Sequence, residues 1–240
     1  MMAWAFLIMV AVYLGYSMWL NRSAEDPLFQ RSKIKTYLVQ GPLFVLACVL
    51  GWRAGVFGRE LVSVYYLGAG LLIGHLIFGI SLLSTHRKIG DTLRVLLDLP
   101  SLWAFAVETP GLLFRFLLVS FSEELIYRVA LQSTLIEMAP SSSYGVTFAV
   151  GITALSFSVV HWHFFRNRIL DSVEFAGFAV LLGLLYMWTQ SLLLVVVIHT
   201  LRNLEIVYLE YMRQLIERGD AQSAMEAIEA HYTRRVVNES

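Results

Sequence analysis

The chain has 240 residues, of which 58% are hydrophobic and only 15% are charged, and its mean hydropathy is +0.65. Soluble domains are typically about 45–50% apolar and about 25% charged, so this composition excludes an ordinary soluble domain and indicates a membrane protein. Eighteen basic and eighteen acidic residues give a net charge of zero, which offers no indication of a nucleic-acid partner, and a single cysteine excludes an internal disulfide.

Apolar runs of about 17–25 residues are long enough to cross a lipid bilayer as helices. Seven such runs lie near residues 1–20, 37–53, 61–83, 111–136, 145–163, 173–188 and 191–209. The sequence therefore predicts an all-α, polytopic bundle of about seven transmembrane helices. The stretch from Asp91 to Glu108 is also apolar, but Pro100 interrupts it, and we interpret it as an interfacial or re-entrant segment rather than an eighth span.

Loop charges predict the orientation of the bundle, because Lys and Arg are retained on the cytoplasmic side of a membrane. With seven spans, one side holds only Arg53 and Arg59, whereas the other side holds the remaining loop lysines and arginines. The first run has no basic residue before it and reads as an uncleaved anchor. We therefore expect an N-terminus outside and a cytoplasmic C-terminus. We also expect the protein to reside in the inner membrane of a bacterium.

Three parts of the chain follow from these patterns. Residues 1–109 hold the N-terminal transmembrane helices and the interfacial segment. Residues 110–209 form a helical core that carries the polar motifs described next. Residues 210–240 are charged and are predicted to form a cytoplasmic helical tail.

The first polar cluster within a span runs from Ser122 to Arg128. Ionisable groups at membrane depth are costly, and they usually have a function. Adjacent residues lie about 100° apart on a helix, so Glu123 and Glu124 face different neighbours. Glu124 and Arg128 stand at i, i+4 and can pair, which leaves Glu123 to point into the bundle. The alternative is a purely structural ion-pair cluster.

Two further spans carry histidines at polar positions. Phe157 and His161 stand at i, i+4 and share one helix face, and so do His199 and Asn203. The alternatives are a packing histidine in the first case and an interhelical hydrogen-bond pair in the second.

Depth in the membrane connects the three clusters. Arg115, Arg166 and Arg202 serve as markers of the cytoplasmic side, and at about 1.5 Å per residue all the motif groups fall within about 12 Å of these markers. We therefore predict that one carboxylate, two imidazoles and one amide converge on a water-accessible chamber in the cytoplasmic half of the membrane. Glu205 and Glu210 lie nearer the tail and are interpreted as interfacial charges.

Taken in order, three motifs resemble those of the CPBP family, which comprises CAAX prenyl endopeptidases of the second type and bacteriocin-processing relatives. The motifs are Glu-Glu-x-x-x-Arg at 123–128, Phe-x-x-x-His at 157–161 and His-x-x-x-Asn at 199–203. The approach to the last motif, from Gly183 through Ser191, also resembles the family's pattern. The resemblance covers about residues 110–209.

This resemblance implies an intramembrane glutamic endopeptidase without a cofactor. Glu123 and His161 would activate a water, and His199 and Asn203 would stabilise the oxyanion. The residues implied to support the site are Glu124, Arg128 and Phe157. The chemistry suits peptide hydrolysis, which needs a base for water and N–H donors aimed at the developing oxyanion. The implied partner is a membrane-associated protein or peptide precursor, cleaved near a C-terminal sorting or anchor segment.

Two other readings of the same residues stay open. Glu123, His161 and His199 are a ligand set of the type that holds catalytic zinc, although no His-Glu-x-x-His motif is present. In the second reading, the polar cluster is the binding site of a non-catalytic membrane immunity protein or chaperone. A transporter is less favoured, because the sequence shows no inverted repeat.

Overall fold

Every regular element that the structure describes is a helix, as the apolar composition predicts. Inside a bilayer the backbone has no water to bond, so each N–H and C=O group must be satisfied within the protein. The computed structural model describes residues 2–23, 40–59, 63–84, 89–139, 143–161 and 169–237. In chain order, the elements are α1 (Met2–Ser23), α2 (Gly41–Arg53), α3 (Val56–Arg59), α4 (Val64–Ser84), α5 (Ile89–Leu97), α6 (Leu99–Glu108), α7 (Pro110–Glu124), a π-helical segment (Leu125–Gln132), α8 (Ser133–Met138), α9 (Ser143–Val160), α10 (Ile169–Thr189), α11 (Leu192–Arg218) and α12 (Ala221–Val237).

Helix length decides which of these elements can cross a membrane. Among the described residues, four helices are long and apolar enough, at Met2–Trp19, Val64–Leu83, Ile169–Thr189 and Leu192–Arg218. A fifth span results if α6 and the helix from Pro110 to Met138 together form one broken span. The helices at Gly41–Arg53 and Tyr144–Val160 are apolar but shorter. The protein is therefore an integral membrane protein with four or five long helical spans by this criterion, and the count of seven remains a prediction.

The predicted orientation rests on loop charges that lie largely outside the described residues. They are Arg31, Lys33, Lys35, Arg87, Lys88, Arg166 and Arg168. The placement of the N-terminus outside therefore also remains a prediction.

The stretch predicted to be interfacial or re-entrant consists of α5 and α6, and it ends at Thr109. The hydroxyl and the backbone N–H of Thr109 both donate to the carbonyl of Phe105, at 2.6 and 3.0 Å. Pro110 follows, and a residue before proline is disfavoured from helical geometry. Helix α7 consequently starts in a new direction, at a bend of 93° that suits either a broken span or a re-entrant loop.

Contacts divide the chain into two compact units. The first combines residues 1–66 with residues 121–195, and the second combines residues 67–120 with residues 196–240. Each unit therefore joins segments that are distant in sequence. The three-part division at residues 109 and 209 remains a prediction.

In the first unit, three elements meet at Gly183 of α10. The side-chain amide of Gln132, at the end of the π-helical segment, donates to the carbonyl of Gly183 at 2.8 Å. A Cβ atom at position 183 would lie 2.9 Å from Gln132 Oε1 and 3.1 Å from Cγ1 of Val150 on α9. A side chain at position 183 would therefore force Gln132 and Val150 to shift, whereas glycine lets α10 approach both of them closely.

The second unit has an aromatic and aliphatic core, to which the charged tail contributes Ile228. Its buried members are Phe105, Ala106, Leu112, Leu204, Val207, Tyr208 and Ile228. Helix α11 continues to Arg218, well beyond the predicted end of the last span at residue 209. Gly219 then adopts a φ of 74°, and the Asp220 carboxylate accepts hydrogen bonds from the backbone N–H groups of Gln222 and Ser223, which begins α12. Hydrogen bonds, chiefly from Ser223, hold the pKa of Asp220 below its ordinary value.

We expect Gly183→Ala to destabilise the protein by about 1–3 kcal/mol, because the added methyl group overpacks the contact with Gln132 and Val150. Gly177→Ala is the matched control on the same helix, since its Cβ would meet nothing within 4 Å. Thermal unfolding of the two variants in detergent measures the difference. Equal melting temperatures would contradict the close packing at Gly183.

Candidate active site

The first motif lies where α7 becomes the π-helical segment. In a π-helix the backbone bonds run from i to i+5, and such segments occur frequently at functional sites. All eight side chains from Leu125 to Gln132 are buried. This geometry begins immediately after the two adjacent glutamates, which end α7.

Glu124 and Arg128 form the predicted i, i+4 ion pair. Arg128 Nε donates to Glu124 Oε2 at 2.9 Å, and both side chains are fully buried. Removing either partner alone would leave a buried charge without compensation, which typically costs about 3–5 kcal/mol. The pair is therefore a fixed element of the interior.

Arg128 also rests on an aromatic ring. Its Cζ atom lies 5.5 Å from the centroid of Phe157, within the range of a cation–π interaction. Its terminal nitrogens Nη1 and Nη2 are buried and have no hydrogen-bond partner among the described residues. The guanidinium thus contacts both Glu124 and Phe157, and these contacts tie the first motif to the second.

The second motif fixes the ring of His161 at the end of α9. His161 Nδ1 lies 2.7 Å from the carbonyl oxygen of Phe157. A carbonyl can only accept, so Nδ1 carries a proton and, in the neutral imidazole, Nε2 presents a lone pair. The His161 ring also packs against the rings of Phe157 and Phe175, at centroid distances of 4.5 and 4.9 Å. Three contacts therefore orient one nitrogen of the imidazole outward.

Glu123 lies on the side to which that nitrogen points. Its Oε1 is 3.8 Å from His161 Nε2, and the two side chains are 27% and 21% exposed. Glu124, the next residue, has no exposed surface. The neighbouring carboxylates thus occupy different environments, as the 100° helical offset predicts: one is buried in an ion pair, and the other is accessible beside an imidazole.

The third motif lies on α11 in the second unit. His199 is buried, with 4% of its surface exposed. Asn203 donates from Nδ2 to the hydroxyl of Ser120, at a distance of 3.5 Å. Glu123 and His161 belong to the first unit, so the convergence of all four groups on one chamber remains a prediction.

One sequence-based interpretation is wrong. Glu205, expected to be an interfacial charge, has no exposed surface, and its Oε1 lies 2.7 Å from Nδ1 of His75 on α4. The apolar face that buries it comes from distant parts of the chain, which a local pattern cannot show. Glu210 is partly exposed and pairs with Arg213, in keeping with its expected place nearer the surface.

Three further residues that bear on these sites are not among the predicted site residues. Phe175 packs against His161, Gln132 bonds to Gly183, and His75 bonds to Glu205. His75 and Gln132 stand inside apolar runs, and that polarity was the available signal. Phe175 is one aromatic residue among many and carries no signal of its own.

These features define a class: a helical integral membrane protein with an accessible carboxylate beside an oriented imidazole and a buried ion pair behind them. Residues 104–204 match the sequence model of one family, described as type II CAAX prenyl endopeptidase Rce1-like. The matched residues include all three motifs, and the match confirms the resemblance that these motifs carry. No curated protein and no solved structure matches the chain.

We expect Arg128→Met to cost about 3–5 kcal/mol of stability, because it leaves Glu124 charged and buried. Adding Glu124→Gln should restore part of this loss, since the remaining group is neutral. Denaturant unfolding of the two single variants and the double variant gives the coupling between the residues. A double variant as unstable as the sum of the singles would show that the pair is not coupled.

Proposed function

We propose that this protein is an intramembrane endopeptidase that hydrolyses a peptide bond of a membrane-associated protein or peptide precursor. The family indicates a membrane protease of the CAAX type. The observation that carries the proposal is the Glu123–His161 pair, in which a carboxylate oxygen and an imidazole lone pair stand 3.8 Å apart.

This separation suits the activation of water. Both atoms are hydrogen-bond acceptors when Glu123 is ionised, and 3.8 Å is too long for a direct hydrogen bond between them. A water that donates one hydrogen to each would be held between two bases. As its oxygen attacks the scissile carbonyl carbon, one proton passes to this pair, and the carbonyl π electrons move onto the carbonyl oxygen.

The rest of the reaction needs donors for the oxyanion and a proton for the leaving group. The family motif assigns the oxyanion to His199 and Asn203, whose imidazole and amide N–H groups are suitable donors. When the tetrahedral intermediate collapses, the C–N bond breaks and the proton held by the Glu123–His161 pair passes to the amine nitrogen. Hydrolysis is then balanced, because the water supplies the hydroxyl of a new carboxylic acid and one hydrogen of a new amine.

The supporting residues act by holding this pair in place. Arg128, neutralised by Glu124, lies over the ring of Phe157, and the carbonyl of Phe157 bonds to His161. Phe175 supports the other side of the His161 ring. A fixed orientation of the base lowers the cost of bringing it to the reacting atoms.

The setting of the reaction is also part of the proposal. We place the protein in the inner membrane of a bacterium, with about seven spans, the N-terminus outside and the C-terminus in the cytoplasm. The substrate is cleaved near a C-terminal sorting or anchor segment, within reach of a site in the cytoplasmic half.

Glu123→Gln should abolish cleavage, because it removes the base while it keeps the shape of the side chain. Glu137→Gln is the matched control: the same change at an exposed position of α8, expected to retain activity. Mass spectrometry of protein termini in membranes from cells with no gene, the native gene and each variant identifies the product. A terminus that still depends on the gene but persists in Glu123→Gln cells would refute this role, and a cellular phenotype that persists without cleavage would favour an immunity protein or chaperone.

We expect the reaction to need no metal. Chelation with EDTA or 1,10-phenanthroline should leave cleavage by the purified protein unchanged, and metal analysis should find less than about 0.1 zinc per chain, compared with about one in zinc proteases. Loss of activity on chelation, restored by added zinc, would instead support Glu123, His161 and His199 as metal ligands.

A further inference from the structure

A second imidazole–carboxylate pair lies in the second unit, outside the three motifs. His75 of α4 contacts Glu205 of α11, with 2.7 Å between His75 Nδ1 and Glu205 Oε1. The other ring nitrogen, Nε2, lies 2.8 Å from the backbone carbonyl oxygen of Leu96. One imidazole thus joins α4 to both α11 and the last turn of α5.

The packing around this pair is tight because α4 has one glycine before His75, at position 74, and another after it, at position 79. A Cβ atom at Gly74 would lie 3.3 Å from the Cα of Ile198, and one at Gly79 would lie 2.8 Å from a methyl carbon of Leu96. Helix α4 therefore lies close to the backbone of α11 at Gly74 and against the side chain of Leu96 at Gly79. This approach brings His75 within hydrogen-bond reach of both partners.

The hydrogen bonds of the pair can be assigned from the chemistry of the acceptors. A carbonyl oxygen only accepts, so His75 Nε2 carries a proton and donates to Leu96. Nδ1 and Glu205 Oε1 then share one proton, as either an imidazolium facing a carboxylate or a neutral imidazole facing a carboxyl group. Arg202 is the other charged group that acts on Glu205, and Glu205 Oε2 has no hydrogen-bond partner among the described residues. His75 is consequently the contact that holds the Glu205 side chain.

Glu205 lies on the same helix as the residues assigned to the oxyanion. It follows Asn203 by two residues and His199 by six, which is about 3 Å and about 9 Å along the helix axis. Ile198, against which Gly74 packs, immediately precedes His199. The contacts of α4 with α11 therefore bracket the His199–Asn203 segment.

We propose that His75 and Glu205 are positioning residues for the hydrolysis, fixing the rotation and height of α11 so that His199 and Asn203 present their donors correctly. This inference rests on the proposed function. It assigns a role in catalysis to two residues outside the matched family region, without contact between them and the reacting atoms.

Two substitutions of Glu205 distinguish a role in positioning α11 from a role of the carboxylate charge. In Glu205→Gln the amide N–H can donate to Nδ1 of a neutral His75, so both hydrogen bonds of the imidazole are retained. In Glu205→Leu the bond to α11 is lost. We expect kcat to fall about 10- to 100-fold in Glu205→Leu with KM changed less than about twofold, whereas Glu205→Gln stays within about threefold of the native protein.

Tyr208→Phe is the matched control on the same helix. It removes a hydrogen bond from α11 to Asp98, one turn beyond Glu205, and should leave kcat within about twofold. The substrate for these assays is a peptide that spans the Glu123-dependent cleavage site found by terminus mapping. Glu205→Asp, which keeps the carboxylate but shortens its reach by one methylene, serves if Glu205→Leu does not fold, and its kcat should fall about tenfold.

Coupling to Asn203 gives a readout that general instability would not produce. If Glu205 acts through the oxyanion donors, Glu205→Leu should reduce kcat much less when Asn203→Ala is already present, whereas independent effects multiply. Amide hydrogen exchange at residues 198–206 should increase in Glu205→Leu and not in Glu205→Gln, and this measurement needs no activity. Native kcat in both Glu205→Leu and Glu205→Asp, or multiplicative effects with Asn203→Ala, would overturn the positioning role. Cleavage that persists in Glu123→Gln would overturn the proposed function instead.

Discussion

The Glu124–Arg128 ion pair ties the first unit together because neither charge can stay buried without the other. Its 2.9 Å hydrogen bond fixes the guanidinium over the ring of Phe157. The backbone of Phe157 in turn sets the tautomer of His161, and that tautomer turns a lone pair toward Glu123. A series of short-range contacts thus runs from the buried Glu124–Arg128 pair to the accessible Glu123–His161 pair, which we propose activates water.

This arrangement explains why two adjacent glutamates have different properties in one helix. Glu124 is fully buried against an arginine, whereas Glu123 keeps part of its exposure and lies beside an imidazole. A carboxylate that must exchange protons needs access to water, and a carboxylate that must stay charged in the interior needs a fixed cation. The sequence Glu-Glu places both requirements within one turn.

The sequence could predict contacts between residues that are close along the chain, but not contacts between residues that are far apart in it. Glu124 with Arg128 and Phe157 with His161 are one helical turn apart, so their spacing alone predicts contact, and both contacts are present. The helical class followed from apolar length. The burial of Glu205, the partnership with His75 and the support of His161 by Phe175 join residues that are distant in sequence, and no periodicity encodes them. The convergence of His199 and Asn203 with Glu123 also depends on contacts between residues that are distant in sequence, and it stays a prediction.

The π-helical segment has a consequence for how the chain can tolerate length changes. Its eight residues accommodate more chain per turn than an α-helix does, and the two glutamates lie immediately before it. Deleting one residue there, with no other change, would turn the helix upstream by about 100°, the angle that separates Glu123 from Glu124. One glutamate would then take the face of the other, and the second would move to a third face, so the number of residues in this stretch is constrained along with their identities.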